Sequence, residues 1–429
     1  MTRAMRIAVL ILGLLVLATT GEEEVKKFSS VPVQSQEQTL TGLRGALDFI
    51  RGLFAPPERE PPAISEAVNR FGFELLAEFR ARHPDKSVVF SPMSIMGALS
   101  LVYFGSDGYT KQDMEIVLGF TKGDVPSKLR AKANAVNPNS QTTSIANRAF
   151  FAEGVNVRSA FVNAVGQVNV QSLDFEKNPG AATRTINKFV SDKTGGLISE
   201  MLSDGDVNAA TRMVLVNAVF FMGEWKNKFD PELTEKKEFR GVSGTKEVDM
   251  MFYEDEELQL RMKNSEEDEL DSLIVEVPYL DERFSMYIVL PFEDDGWRFA
   301  EEQLLGVDAE FFETDMYEMD VYVEMPKWTQ ESTWDGMKDI LVEMGLGTVF
   351  SGADLSRMIE NEEGLGVTDI VHKAKVEVSE EGTKAAAVST AISSRSGFAE
   401  ELVIDHPFLY FIVDKSDNTI LFQGTITDL

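Results

Sequence analysis

Cysteine is absent from the 429 residues, and histidine occurs only three times, at His83, His372 and His406. The first absence removes disulfides, thiolate nucleophiles and cysteine-ligated metals together, so stability has to come from a large apolar core. The second leaves hydrolase chemistry short of its usual general base. His83 precedes Pro84 in a polar turn, His406 precedes Pro407, and His372 follows Ile370-Val371, so none stands in a catalytic motif. No G-x-S-x-G elbow, P-loop, H-E-x-x-H pair or dinucleotide glycine fingerprint occurs either. Positive charge is scarce too: 41 Lys and Arg against 71 Asp and Glu give a formal net charge of −30. Such a surface repels nucleic acid and anionic lipid. The expectation is a protein that is not an enzyme, holds no metal or cofactor, and binds neither nucleic acid nor membrane.

Long apolar runs are few. One is N-terminal: Arg3 and Arg6 precede Ile7 to Leu17, and the small residues Ala18 to Gly21 follow. This is the pattern of a secretory signal over residues 1–21, which predicts a secreted, extracellular protein. A membrane anchor fits less well, because the run is short for a bilayer and Glu22 to Glu24 follow at once. Residues 22–63 read as an extension ending in the Pro56-Pro57 and Pro61-Pro62 pairs. Within it Leu40, Leu43, Leu47, Ile50 and Phe54 recur at helical spacing, a stripe expected to pack on the main body. From residue 64 to 429 the composition is even, without a long linker, so one large domain is expected.

With 43% hydrophobic residues that domain is globular. Helix-like periodicity runs from Ala67 to Phe79 and on to about Val117. Strand-like runs gather later: Val275 to Val277, Ser285 to Leu290, Val321 to Met325, Lys373 to Val378, Leu409 to Val413 and Ile420 to Thr425. Helices early and strands late predict an α+β fold with mixed sheets. The acidic runs Glu254 to Glu257 and Glu266 to Asp271 read as solvated loops.

One segment breaks the pattern. Residues Glu380 to Glu401 carry neither a helix stripe nor a turn cluster, and a long connection of this kind in a compact domain is usually functional or disordered. Thr383, Ala385, Ala387, Ser389 and Ala391 are all small. With a period of two, one face of an extended chain can slide between existing strands without steric conflict. An alanine-rich helix or linker is the alternative on propensity alone.

Motifs along the chain then fall into a familiar order. Phe90-Ser91-Pro92-Met93-Ser94-Ile95, Asn217-Ala218-Val219-Phe220-Phe221-Met222-Gly223-Glu224-Trp225, Pro326-Lys327-Trp328, His372-Lys373, and Asp405-His406-Pro407-Phe408 with Ile420-Leu421-Phe422-Gly424 succeed one another. With the segment Glu380, Glu381, Gly382, Thr383, Lys384, Ala385, Ala386 and Ala387 as hinge, this series resembles the serpin family from about Ala67 to the end. The resemblance implies the serpin fold with an exposed reactive-centre loop at about 380–401. It implies further that Ser91, Ser94, Asn217 and His372 form a polar cluster where the main sheet parts. Trp225, Lys327 and Glu380 match the place where the loop first enters that sheet. The implied function is suicide inhibition: a serine protease is acylated at the bait bond, and the freed loop inserts as a new strand. About fifteen residues of strand at roughly 1 kcal/mol net per hydrogen bond give on the order of 15 kcal/mol, which rivals the stability of a whole domain.

Lys384 stands where the family often has an acidic residue and Val388 where it has a smaller one, both on the outward face by alternation. Phe189 and Leu197 replace a typical tryptophan and lysine. Family spacing counted from Gly382 points to a bait bond at Ser396-Gly397. Pocket chemistry points to Arg395-Ser396, since arginine pairs with a buried aspartate in trypsin-like proteases. Arg395-Ser396 is the reading taken. The expected partner is therefore a trypsin-like serine protease, and the chain is expected to be a monomer. Lys128, Arg130 and Lys132 are too few in so acidic a chain for a heparin-like polyanion to be expected. A non-inhibitory serpin acting as carrier, storage or scaffold protein is the alternative.

Overall fold

The computed structural model describes residues 64–120, 125–136, 143–253, 259–264, 271–307, 310–334, 336–360, 366–383 and 400–429. All lie within one compact unit, Pro61–Leu429. The signal segment 1–21, the extension 22–63 with its leucine stripe, both acidic runs apart from Asp271, hinge residues Lys384 to Ala387, and Arg395, Ser396 and Gly397 fall outside the described residues.

Helices gather first in the described chain: α1 (Ile64–Arg82), α2 (Pro92–Gly105), α3 (Gly108–Val117), α4 (Val125–Val136), α5 (Ser159–Val165) and α6 (Pro179–Lys193). Helix α2 is apolar around its circumference and every residue except Phe104 is buried, as a helix without a polar face has to be. Its start is set locally. Ser91 Oγ accepts a hydrogen bond from the Ser94 N–H at 3.2 Å, and Pro92 occupies the first turn, where no N–H is required.

The strands form two sheets. The chain runs through β1 (Val88–Phe90), β2 (Thr143–Ala152), β3 (Val170–Leu173), β4 (Met213–Phe221), β5 (Gly223–Glu224), β6 (Glu235–Gly241), β7 (Gly244–Tyr253), β8 (Gln259–Asn264) and β9 (Ser272–Pro278). It continues through β10 (Phe284–Pro291), β11 (Tyr317–Pro326), β12 (Trp328–Thr333), β13 (Asp369–Ser379), β14 (Gly382–Thr383), β15 (Glu400–Val403), β16 (Phe408–Asp414) and β17 (Thr419–Ile426). The larger sheet has the order β1-β17-β16-β10-β9-β8-β11-β7-β6, with β15 on β11. The smaller has the order β3-β2-β4-β13-β14-β5, with β12 on β13. Each late apolar run singled out in the sequence lies inside one of these strands, and the fold is α+β.

Strand β4 is buried at every position, because both its faces are covered. Val214, Val216 and Ala218 pack with Phe150 against Ala182, Ile186 and Val190 of α6. Met213, Leu215, Val219 and Phe221 join the cluster that contains α2. Covering on both sides is why this strand reads as an unbroken apolar run rather than an alternation. Phe189 of α6 lies under the Arg148 guanidinium, 3.8 Å from the ring centre, so the shorter aromatic still finds a cation partner.

Candidate functional site

The smaller sheet has a seam between two parallel neighbours. From Asp369↔Val214 to Lys375↔Phe220, β13 pairs directly with β4. Higher up the two diverge, and β14 fills the gap. Val378↔Thr383 and Ser379↔Gly382 pair antiparallel on one side, and Gly382↔Glu224 and Thr383↔Gly223 on the other. Gly382 makes this possible. Its φ is +139°, and a Cβ there would come within 2.1 Å of the Gly223 carbonyl oxygen, so only glycine fits.

Below, the seam is held by buried polar groups. Asn217 and His372 are register partners across it, both fully buried. His372 Nε2 accepts from the Ser91 N–H at 3.3 Å, so the ring proton sits on Nδ1, which donates to Asn217 Oδ1. Asn217 Nδ2 then donates to the Ser94 carbonyl at 2.9 Å, to Ser94 Oγ and to Asn147 Oδ1. Burial pushes the His372 pKa down from 6.5 to about 3, so the imidazole is neutral and every bond in the cluster is between uncharged groups. The four residues implied by the family resemblance thus meet at one place, together with a fifth. Asn147 escaped the sequence reading, although an asparagine in line with Ala149 and Phe151 on one face of β2 was a legible signal. It can approach because Gly97 of α2 has no side chain; a Cβ there would lie 2.8 Å from Asn147 Nδ2.

Above, the mouth of the seam is built from charges and rings. Lys327 Nζ lies 2.8 Å from Glu380 Oε2, and Thr234 Oγ1 donates to Glu380 Oε1 at 2.8 Å. Burial by itself raises the Glu380 pKa, but the Lys327 and Thr234 hydrogen bonds and a backbone hydrogen bond outweigh it and the net shift is downward. Lys228 pairs with Glu381 at 2.7 Å. Trp225 Nε1 donates to the Ser379 carbonyl at 2.9 Å, and its backbone N–H to the Glu381 carbonyl at 3.0 Å. The Trp225 ring stacks on Tyr279 at 4.6 Å and 10°, and Tyr279 Oη meets Thr383 Oγ1 at 2.9 Å. Trp225, Lys327 and Glu380 are therefore brought together as a group. Tyr279, Thr234 and Lys228 were not foreseen, because nothing in sequence spacing connects them to residues a hundred or more positions away.

Two other sequence readings have a definite place. Lys132 of α4 is buried and forms ion pairs with Asp414 at 2.7 Å and Asp417 at 2.5 Å, so its charge is committed inside the protein. Of the histidines, His406 Nε2 bonds the Pro291 carbonyl at 2.8 Å, and His83 packs on Phe79 at 4.8 Å. Among the described residues no group of three or more His, Cys, Asp or Glu is placed to hold a metal ion, and no helix is long and apolar enough to cross a membrane.

A loop whose start lies in one sheet, at Thr383, and whose end lies in the other, at Glu400 on β11, defines a class of protein. Residues 66–429 match the family described as "Serpin (serine protease inhibitor)", and the chain belongs to the serpin family. Among curated relatives, "Serpin B6" of Pongo abelii is 35% identical over 84% of this chain and 98% of its own length. "Leukocyte elastase inhibitor" of Xenopus tropicalis is 34% identical over the same shares. A solved structure described as "thyroxine-binding globulin complex with thyroxine" is 27% identical, with a TM-score of 0.74 over 85% of this chain and 98% of that one.

Proposed function

We propose that this chain is a suicide-substrate inhibitor of trypsin-like serine proteases, cleaved at Arg395-Ser396. The observation that carries the reading is β14: two residues of the loop already lie as an antiparallel strand between β13 and β5, directly above a seam where two parallel strands await the rest. The protease serine oxygen adds to the Arg395 carbonyl carbon. The peptide bond to Ser396 breaks, the Ser396 nitrogen leaves with a proton from the protease histidine, and an ester remains. The freed strand then extends downward from Thr383, and each new rung adds roughly 1 kcal/mol net per hydrogen bond. This carries the protease along and distorts its oxyanion hole before water can cleave the ester. In this reading Ser91, Ser94, Asn147, Asn217 and His372 are the groups that exchange partners as the seam parts. Arg395 fits a pocket with a buried aspartate; use of Ser396-Gly397 would mark an elastase-like target instead.

The proposal extends to the chain's organisation. Residues 1–21 direct secretion, 22–63 form an extension, 64–429 are the inhibitory domain, and the protein acts outside the cell as a monomer. The test is incubation with trypsin. A covalent complex that survives denaturing electrophoresis is expected, with release of a fragment whose mass begins at Ser396; cleavage without complex refutes the inhibitory reading, and a fragment beginning at Gly397 moves the bond.

A carrier role is the second reading, favoured by the similarity to a thyroxine-bound globulin. The two separate by heat. An inserting loop makes the cleaved protein much more stable than the intact one, whereas a non-inhibitory serpin need not gain from cleavage.

A further inference from the structure

The two residues of β14 need an explanation, because a strand so short contributes only a few hydrogen bonds and is the first part of a sheet to fray. What distinguishes it is its side chain. Thr383 is fully buried, and among the described residues its hydroxyl is partnered by the hydroxyl of Tyr279 at 2.9 Å. Tyr279 belongs to neither neighbour of β14 in the smaller sheet. It follows β9 of the larger sheet and forms an isolated bridge with Trp225.

Its ring cannot turn away. Trp225 stacks on it at 4.6 Å, and Phe221 packs on it at 4.8 Å and 60°. Even Gly223 leaves no slack, since a Cβ there would lie 2.5 Å from Tyr279 Cδ1. The phenol oxygen is thus aimed at one point in a buried site, and that point is the first loop side chain to enter the sheet. Burial raises the Tyr279 pKa, so the hydroxyl keeps its proton throughout the range in which proteases work.

We propose that Tyr279 is a positioning residue which holds the start of the loop inside the sheet before any protease arrives, and that its bond to Thr383 sets how much acyl-enzyme is trapped rather than hydrolysed. The proposal rests on the inhibitory reading above. Its logic is competition: insertion and attack of water on the ester draw on one intermediate. A loop whose first rung is in place has only to extend, while a loop whose start is outside has first to find the gap. Each hydroxyl is buried, so removing one strands the other without a partner. Removing both in favour of groups of similar shape costs less than the two single removals together.

That asymmetry supplies the test. Tyr279→Phe, Thr383→Val and the double variant are compared with the wild-type chain in two measurements. One is amide hydrogen exchange of the 379–383 segment without protease; the other is the number of inhibitor molecules consumed per trypsin inactivated. Each single variant is expected to speed exchange of the segment at least about tenfold and to raise the consumption at least about threefold. The double variant is expected to be impaired by less than the sum of the two single variants in both. Unchanged exchange in the single variants overturns the proposal, and so does faster exchange with unchanged consumption, or a double variant as impaired as the sum of the two. A wild-type chain that forms no complex with trypsin sinks the inhibitory reading itself, and the role in trapping with it; the exchange result is then still read on its own, so the two failures are told apart.

Discussion

Above Val378, β13 is separated from its parallel neighbour by β14, whereas below Lys375 it meets β4 directly. The two halves of this one seam are also held by different chemistry. The upper half uses two lysine–glutamate pairs, Lys327–Glu380 and Lys228–Glu381, whose lysine side chains remain 37% and 38% exposed, a stacked ring pair and hydroxyl bonds at Thr234 and Tyr279. The lower half uses neutral groups that are almost all fully buried. Exposed ion pairs contribute little and are screened by salt, while neutral bonds in a dry site are costly to leave unmade. The contacts that salt can weaken thus lie where the loop enters, beside the buried Tyr279–Thr383 bond, while the seam beneath is held by neutral bonds.

The largest effect should come from a change at the upper end of the seam. Thr383→Arg places a charge at a position with no exposed surface, and burial of an unpaired charge is prohibitive. Strand β14 should be expelled and the variant turned from inhibitor into substrate, with more than about tenfold more molecules consumed per protease inactivated. Undiminished inhibition by this variant would falsify the picture of insertion at Thr383.

Next is the lower half. Asn217→Ala strands Ser94, Asn147 and His372 together and should lower stability by about 3 kcal/mol. This is read as a shift in the thermal unfolding midpoint of the uncleaved protein. A change near zero would mean that the lower seam is held by packing alone.

The smallest effect, over the window from pH 7 to pH 5, is one of pH. His372 has a folded pKa of about 3 against 6.5 unfolded, so as pH falls the unfolded chain binds the proton first. Stability from this group is complete above about pH 6.5 and is lost toward pH 3, at roughly 1.4 kcal/mol per pH unit. Denaturant midpoints at pH 7, 6 and 5 should fall more steeply for the wild type than for His372→Gln. Parallel slopes would remove His372 from the account.

Much of this was legible beforehand, for identifiable reasons. Apolar runs announced β10, β16 and β17, which are buried at every position, because strands covered on both faces have little choice of composition, and β13 was announced by alternation, which its burial follows. Small residues at alternate positions singled out the segment from Thr383 to Ala391, of which Thr383 falls within the described residues, buried in β14. Asn147 was half legible, as a polar side chain on an apolar face of β2. Tyr279 was not legible at all. Its partners Trp225 and Thr383 lie 54 and 104 positions away in sequence, and a tyrosine after a strand ending in proline has no distinguishing pattern.

That Gly382 and Thr383 already pair within the sheet was likewise invisible. The figure of about fifteen residues of new strand takes no account of the pairs that Gly382 and Thr383 already make.

What the sequence by itself determined is the material: an acidic surface, a core without disulfides, strands of roughly fixed extent, and one segment small enough to enter a sheet. These follow from local rules of burial, period and charge, which each stretch of chain obeys alone. What only the tertiary structure decided is the state of the seam. Whether two parallel strands touch, which hydroxyl faces which, and whether a lysine such as Lys132 is free or locked to Asp414 depend on side chains from distant segments competing for the same few ångströms. Burial sets the strength of those contacts, and burial exists only once the chain has folded.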